Sequence, residues 1–309
     1  MKIVFNKNNS GQAEIKSLLG FLDGDFNFDN LKSDIELNTP QLIDLISKAV
    51  YDKIEAYYTA DSQTINEDIA QALKYVQLYI ASMAYIDFAP NNDLTHSNSG
   101  RSFRSEENEK LPWEWQLSNS NAAIAKRAYK ALDLLFILLD TLAWEEWTAS
   151  QAYKTANKLF LKNTNLFDAA FPINKSGQLY YRLVPFMEDF ENDAIIPIIT
   201  PEVATTLKEA STPTANQKIL LSLINKASAY LALGKALKVF PVEMFPSGLI
   251  YNEKTRSNSE ARAEVMQFLN EEGKNYIIKL EHEYGKQTAT FETLKTTNGL
   301  EEGKKYVNL

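Results

Sequence analysis

The sequence predicts an all-α protein made of two tandem, divergent helical-bundle modules, and three observations carry that expectation. Apolar residues recur at spacings of three and four along most of the 309 residues. Sustained alternation of period two, the mark of half-buried strands, is nearly absent. The chain also echoes itself at an offset close to 153 residues, as two copies of one unit would.

At the N-terminus, KIVF reads as a short extended segment, and the apolar run Ile3, Val4, Phe5 is too short for the core of a signal peptide. In TPQLIDLISKAVYDKIEAYY the positions Leu42, Ile46, Val50, Ile54 and Tyr57 form one stripe, with Thr39 as N-cap and Pro40 at the first helical position. Ile69, Leu73, Val76, Ile80, Met83 and Ile86 make the stripe of the next helix. The segment SNAAIAKRAYKALDLLFILLDTLAWEEW is apolar nearly all round at its middle, which predicts a helix buried on every side. It does not predict a membrane span, because Lys130, Asp133 and Asp140 interrupt it and the uncharged run from Leu134 to Leu139 is under two turns long. The C-terminal stretch is Thr-rich and reads as an extended tail, or a hairpin turned at Asn298 and Gly299.

The internal echo begins where Ile46, Val50 and Ile54 fall on Ile199, Val203 and Leu207 at an offset of 153. Ala84 and Phe88 match Ala236 and Phe240 at 152, and Ser99-Gly100 matches Ser247-Gly248 at 148. A long amphipathic helix follows in both halves. Aligning Thr39-Pro40 with Thr200-Pro201 instead needs an offset of 161, so two registers stay open. The expected division is a first module over 1–150, a second over 151–286 and a C-terminal extension over 287–309.

Composition narrows function. The 32 Lys and Arg against 40 Asp and Glu leave a formal charge of −8, without the basic surface that a run of phosphates requires. There is no cysteine, hence no disulfide, thiolate metal site or cysteine nucleophile. No phosphate-cradling glycine motif and no nucleophile elbow occurs. His96 stands near Asp93 and Ser97 in the polar corner FAPNNDLTHSNSGRSF, but the matching corner VFPVEMFPSGLIYN has no histidine, so a solvated loop residue is expected. His282 lies between Glu281 and Glu283 without metal-ligand spacing. The acidic run MEDFENDA lacks the alternating ligands and central glycine of a calcium loop and reads as a solvated connection. No catalytic, cofactor-binding or metal-ligating residue is therefore assigned, and no cofactor is expected.

Two surface features remain. The pairs Trp113 with Trp115 and Trp144 with Trp147 read first as loop anchors and second as stacking platforms for sugars or bases. The second corner is unusually apolar, and Phe240, Val242, Met244, Phe245, Leu249, Ile250 and Tyr251 are expected to lie under the sister module or another subunit, with Tyr306, Val307 and Leu309 of the tail reaching a neighbour. Gly100 and Gly248 are the expected positive-φ turn positions.

The opening MKIVFNKNNSGQAEIKSLLGFLDGDFNFDNLKSDIELNTPQLIDLISKAVYDKI and the SNSGRSF corner before a long helix resemble an uncharacterised family from Bacteroidetes phages and prophages, whose members are virion-associated. Their helical content is similar to that of phage head-tail connector (adaptor) proteins. The resemblance implies a non-enzymatic neck component that forms a homo-oligomeric ring on the portal, touches tail proteins, avoids membranes and only borders the DNA path. Connectors of this type are single small modules, whereas this chain reads as two. The alternatives from other classes are a carbohydrate-binding or hydrolytic helical protein using the Trp pairs and acidic loops, and a host helical scaffold.

Overall fold

A computed structural model describes residues 2–7, 11–23, 26–60, 66–98, 100–103, 112–246 and 259–289. The fold is all-α, with one two-stranded hairpin among the described residues. In chain order the elements are α1 (Gly11–Leu19), α2 (Phe28–Ile46), α3 (Lys48–Thr59), α4 (Glu67–Asn92), β1 (Leu94–Ser97), β2 (Gly100–Phe103) and α5 (Glu114–Leu142). After them come α6 (Glu145–Thr148), α7 (Gln151–Lys158), α8 (Thr164–Ala170), α9 (Gly177–Phe190), a π-turn (Glu191–Ile195) and α10 (Ile196–Ile199). Last are α11 (Pro201–Glu209), α12 (Ala215–Val239), a 3₁₀ turn (Val242–Met244) and α13 (Ser259–Thr288).

Each half runs through the same order of pieces. A long helical stretch is broken at one residue, a shorter helix follows, and then two long helices are joined by a corner. The break falls at Ser47 (φ 78°, ψ 152°) in the first half and at Thr200 (φ 68°, ψ 152°) in the second. These positions are 153 residues apart. That conformation is one which residues other than glycine rarely adopt. Thr39 and Pro40 lie instead inside α2, not at a helix start. Asn27 caps the helix, accepting from the Asp29 amide, and Thr39 Oγ1 donates back to Ile35 O at 2.7 Å. Pro40 is exposed, so the carbonyl left without its amide partner faces the solvent side of the helix.

The correspondence also reaches upstream of the helices, where sequence comparison stopped. VFNKN (residues 4–8) and LFLKN (residues 159–163) both hold a buried phenylalanine, Phe5 at 4% and Phe160 at 5% exposure. In both, a lysine two residues later caps the end of the short helix: Lys7 Nζ donates to Ala60 O at 2.6 Å, and Lys162 Nζ to Lys208 O at 2.7 Å. A positive charge suits that pole of a helix.

One hydrophobic core dominates, and it runs without interruption through residue 150. It holds Val50, Ile54, Val76 and Ile80 of the first half, Phe136, Leu139 and Trp147 at the seam, and Leu179, Leu183, Ala232 and Leu233 of the second. A smaller cluster of Phe160, Ile195, Ile199, Leu207, Ile224 and Leu280 closes the far end of the second half. At the seam Phe136 and Tyr181 stack at 4.8 Å, and Trp147 Nε1 and Tyr181 Oη both donate to Asp140 Oδ1. Gly177 is what allows α9 to begin there, because a Cβ would stand 2.6 Å from Phe136 Cβ.

The long α5 is not buried on all sides. Leu134 and Ile137 are 38% and 44% exposed, and every residue from 112 to 120 is exposed. The first two turns of α5, about 10 Å at 1.5 Å per residue, therefore stand clear of the core. No helix among the described residues is long and apolar enough to cross a membrane.

Candidate functional site

The corner after α12 folds down onto the seam. Met244 and Phe245 are 5% and 4% exposed, packed within the chain's own core, so they present little surface to another subunit. Phe240 stacks on Phe186 at 5.7 Å and Val242 is half-buried. Leu249, Ile250, Tyr251, Tyr306, Val307, Leu309 and Gly248 lie outside the described residues. Gly100 has φ +117° at the head of the β1–β2 turn.

The corner covers a polar layer. Gln178, at the start of α9, donates through Nε2 to Met244 O at 2.7 Å. Asp133, about two thirds of the way along α5, accepts at Oδ1 from Ser176 Oγ (2.7 Å) and from the Gln178 amide (3.1 Å), which places a carboxylate on the N-terminus of α9. Burial pushes the Asp133 carboxyl up to about 6, although both of those hydrogen bonds favour its ionised form. Arg182 hydrogen-bonds Tyr79 but leaves its Nε buried without a partner, as is Gln178 Oε1. Between α5, the α8–α9 connection and the 3₁₀ turn opens a cleft of about 350 Å³, lined by Tyr129, Lys130, Asp133, Glu243, Met244 and Phe245, with Lys126, Asn174 and Pro246 completing its wall.

A second concavity, about 690 Å³, lies along the α2–α3 break between Ile43, Asp44, Asp52 and Glu55. It is shallow, and one of its cations, Lys48, already pairs with Asp52.

The acidic run MEDFENDA is not a solvated connection. It is the end of α9 and the π-turn, and Glu191 inside it is 2% exposed. Glu191 accepts from the Phe160 amide at 2.7 Å and from Lys208 Nζ at 2.6 Å. Burial raises its carboxyl above the ordinary range, and the lysine and amide pull it part of the way back. Glu191 continues the buried stripe of α9 set by Tyr180, Leu183, Val184 and Met187, whereas Glu188 and Asp189 fall on its exposed side.

The tryptophans divide. Trp147 is fully buried and Trp144 is half-buried under Lys53 Nζ at 4.7 Å, so this pair anchors the seam. Trp113 and Trp115 are 69% and 57% exposed, set edge-to-face at 6.2 Å on the projecting end of α5. His96 pairs with Arg101 across the hairpin, and His282 is exposed on α13. Among the described residues, no three of His, Cys, Asp or Glu gather as a metal site would require.

No family model matches this chain, and neither the curated proteins nor the solved structures provide a match.

Proposed function

We propose that the chain is a non-enzymatic assembly protein, a head-tail connector or neck-ring component of a tailed bacteriophage that acts in the virion on the portal and its neighbouring tail proteins. The observation that carries an assembly role is the projecting end of α5, where Trp113, Trp115 and Leu117 are exposed together on residues that contribute nothing to the core. Large rigid aromatics left in water on a protruding element are the typical anchors of a protein interface. The all-α architecture agrees with the connector resemblance. We further propose that the two halves arose by tandem duplication, supported by the shared break at Ser47 and Thr200 and by the lysine caps at Lys7 and Lys162. The excess of acidic groups suits a wall past which DNA moves without adhering.

The test is co-expression with the portal and tail genes that flank the chain's own gene, followed by negative-stain imaging. A ring on the portal, lost when Trp113 and Trp115 are both changed to Ala, is the expected result. A monomer that never joins a portal sinks the reading. The exposure of Trp113 and Trp115 also favours a second one, a sugar-binding platform. Glycan-array binding that the same double substitution abolishes would select it.

A further inference from the structure

The cleft between α5 and the 3₁₀ turn contains an unusual set of uncommitted groups. Tyr129 is 8% exposed and lines the cleft, yet its hydroxyl is in no hydrogen bond with a described residue. Asp133 engages Ser176 and Gln178 through Oδ1 alone, which leaves Oδ2 unused. Glu243 and Lys130 also line the cleft, and neither forms an ion pair or a hydrogen bond among the described residues. None of these atoms is fully buried, so water reaches them in the cleft and a ligand can take its place. Here one hydroxyl and two carboxylates are left over, with one ammonium at the edge.

Those leftovers specify a complement. A neutral ligand would leave both carboxylates unpaired. A simple anion would be drawn by Lys126 and Lys130 but would meet Asp133 and Glu243 beside them. A hydrated divalent cation would meet Lys130 and gain nothing from Met244 and Phe245, which supply an apolar wall. The volume, about 350 Å³, falls near the lower end of small-molecule sites, about 300–1,000 Å³.

We propose that this cleft binds a small zwitterionic amine of the amino-acid class. Its ammonium is held by Asp133 Oδ2, Glu243 and Tyr129 Oη, its carboxylate is turned toward Lys130, and its side chain lies on Met244 and Phe245. Along α5, Lys130 and Asp133 are three residues apart and share a face, so the two charges of one short ligand can be met by one helix.

The full chain is titrated with L-phenylalanine and L-leucine, and with two truncated probes, phenethylamine and 3-phenylpropionate, by calorimetry and ligand-observed NMR. The expected result is saturable binding of at least one amino acid, with phenethylamine about tenfold weaker and 3-phenylpropionate weaker still. Glu243→Gln removes a charge from a half-buried residue with no partner among the described residues, so it leaves the thermal melt unchanged while weakening binding about tenfold. Tyr129→Phe weakens it several-fold. The proposal is overturned by a cooperatively folded protein that shows no saturable binding of either amino acid up to about 10 mM. It is equally overturned by affinity that Glu243→Gln leaves intact, or by phenethylamine binding as tightly as phenylalanine.

Discussion

The two halves carry the same succession of elements but bury them differently. In the first, Leu42, Ile46 and Ile54 belong to the main core, joined there by Val4, Phe5, Ile15 and Leu19 of the N-terminal segment. In the second, their counterparts Ile195, Ile199 and Leu207 fall in the separate small cluster. The two halves also differ at one local feature. α2 runs for 19 residues straight into its break, whereas α9 passes through the π-turn before α10 reaches Thr200. The π-turn opens at Glu191, whose buried carboxylate accepts from the amide of Phe160 in the small cluster. Similar pattern therefore does not guarantee similar burial.

Removing the partner of the buried charge should have the largest effect. Lys208→Met strands Glu191 and is expected to cost about 3–5 kcal/mol in urea denaturation. Lys48→Ala, which breaks the exposed Lys48–Asp52 pair of the first half, should change stability by less than about 0.5 kcal/mol. Equal losses from the two would show that the second half is not organised around its buried pair.

The seam between the halves should respond next. Gly177→Ala forces a methyl against Phe136 Cβ, and a loss of about 2 kcal/mol is expected, with α5 and α9 pushed apart. A neutral result would mean that the close approach is not what fixes their spacing.

Asp133 at the same seam has a pH signature. Its carboxyl titrates at about 6 in the folded chain against an ordinary value of 3.8, so the folded state binds that proton more tightly than the unfolded state. Stability from this group is greatest below about pH 4, declines as pH rises toward 6, and stays low above it. Asp133→Asn keeps the acceptor for Ser176 and Gln178 without the charge. It should stabilise the protein by on the order of 2 kcal/mol at pH 8, with the gain vanishing near pH 4. A gain independent of pH would contradict the burial account.

The smallest effect should come from the paired breaks. Thr200→Gly relieves a β-branched residue at φ 68° and loses only the exposed bond from its hydroxyl to Glu202, so it should raise stability by about 1 kcal/mol. Ser47→Gly should gain less, because Ser47 Oγ accepts from the Val50 amide at 3.4 Å. If both substitutions destabilise, the two breaks are not strained alike.

Much of this was legible in the residues. Helical spacing marked the stripes of α2 to α5, and of the two registers left open in the sequence, 153 and 161, the first equals the separation of the breaks at Ser47 and Thr200. The VFNKN and LFLKN echo was present too, but five residues are too short to stand out until the lysine caps give them a role. Thr39 and Pro40 misled because a proline on an exposed helix face mimics a helix start. The cleft was invisible, since Glu243 lies more than a hundred residues from Tyr129 and Asp133 of α5 and is brought to them only at the seam. His96 drew attention by its neighbours in sequence, yet it stands in a short hairpin opposite Arg101.

The central claim is that two like halves are held as one body by a core continuous through residue 150. Native-state hydrogen exchange tests it most directly. The slowest amides of α4, α5, α9 and α12 should share one free energy of opening and respond together to denaturant, with those of α11 opening earlier. Two separate groups, one from each side of residue 150 and each with its own opening energy, would contradict it.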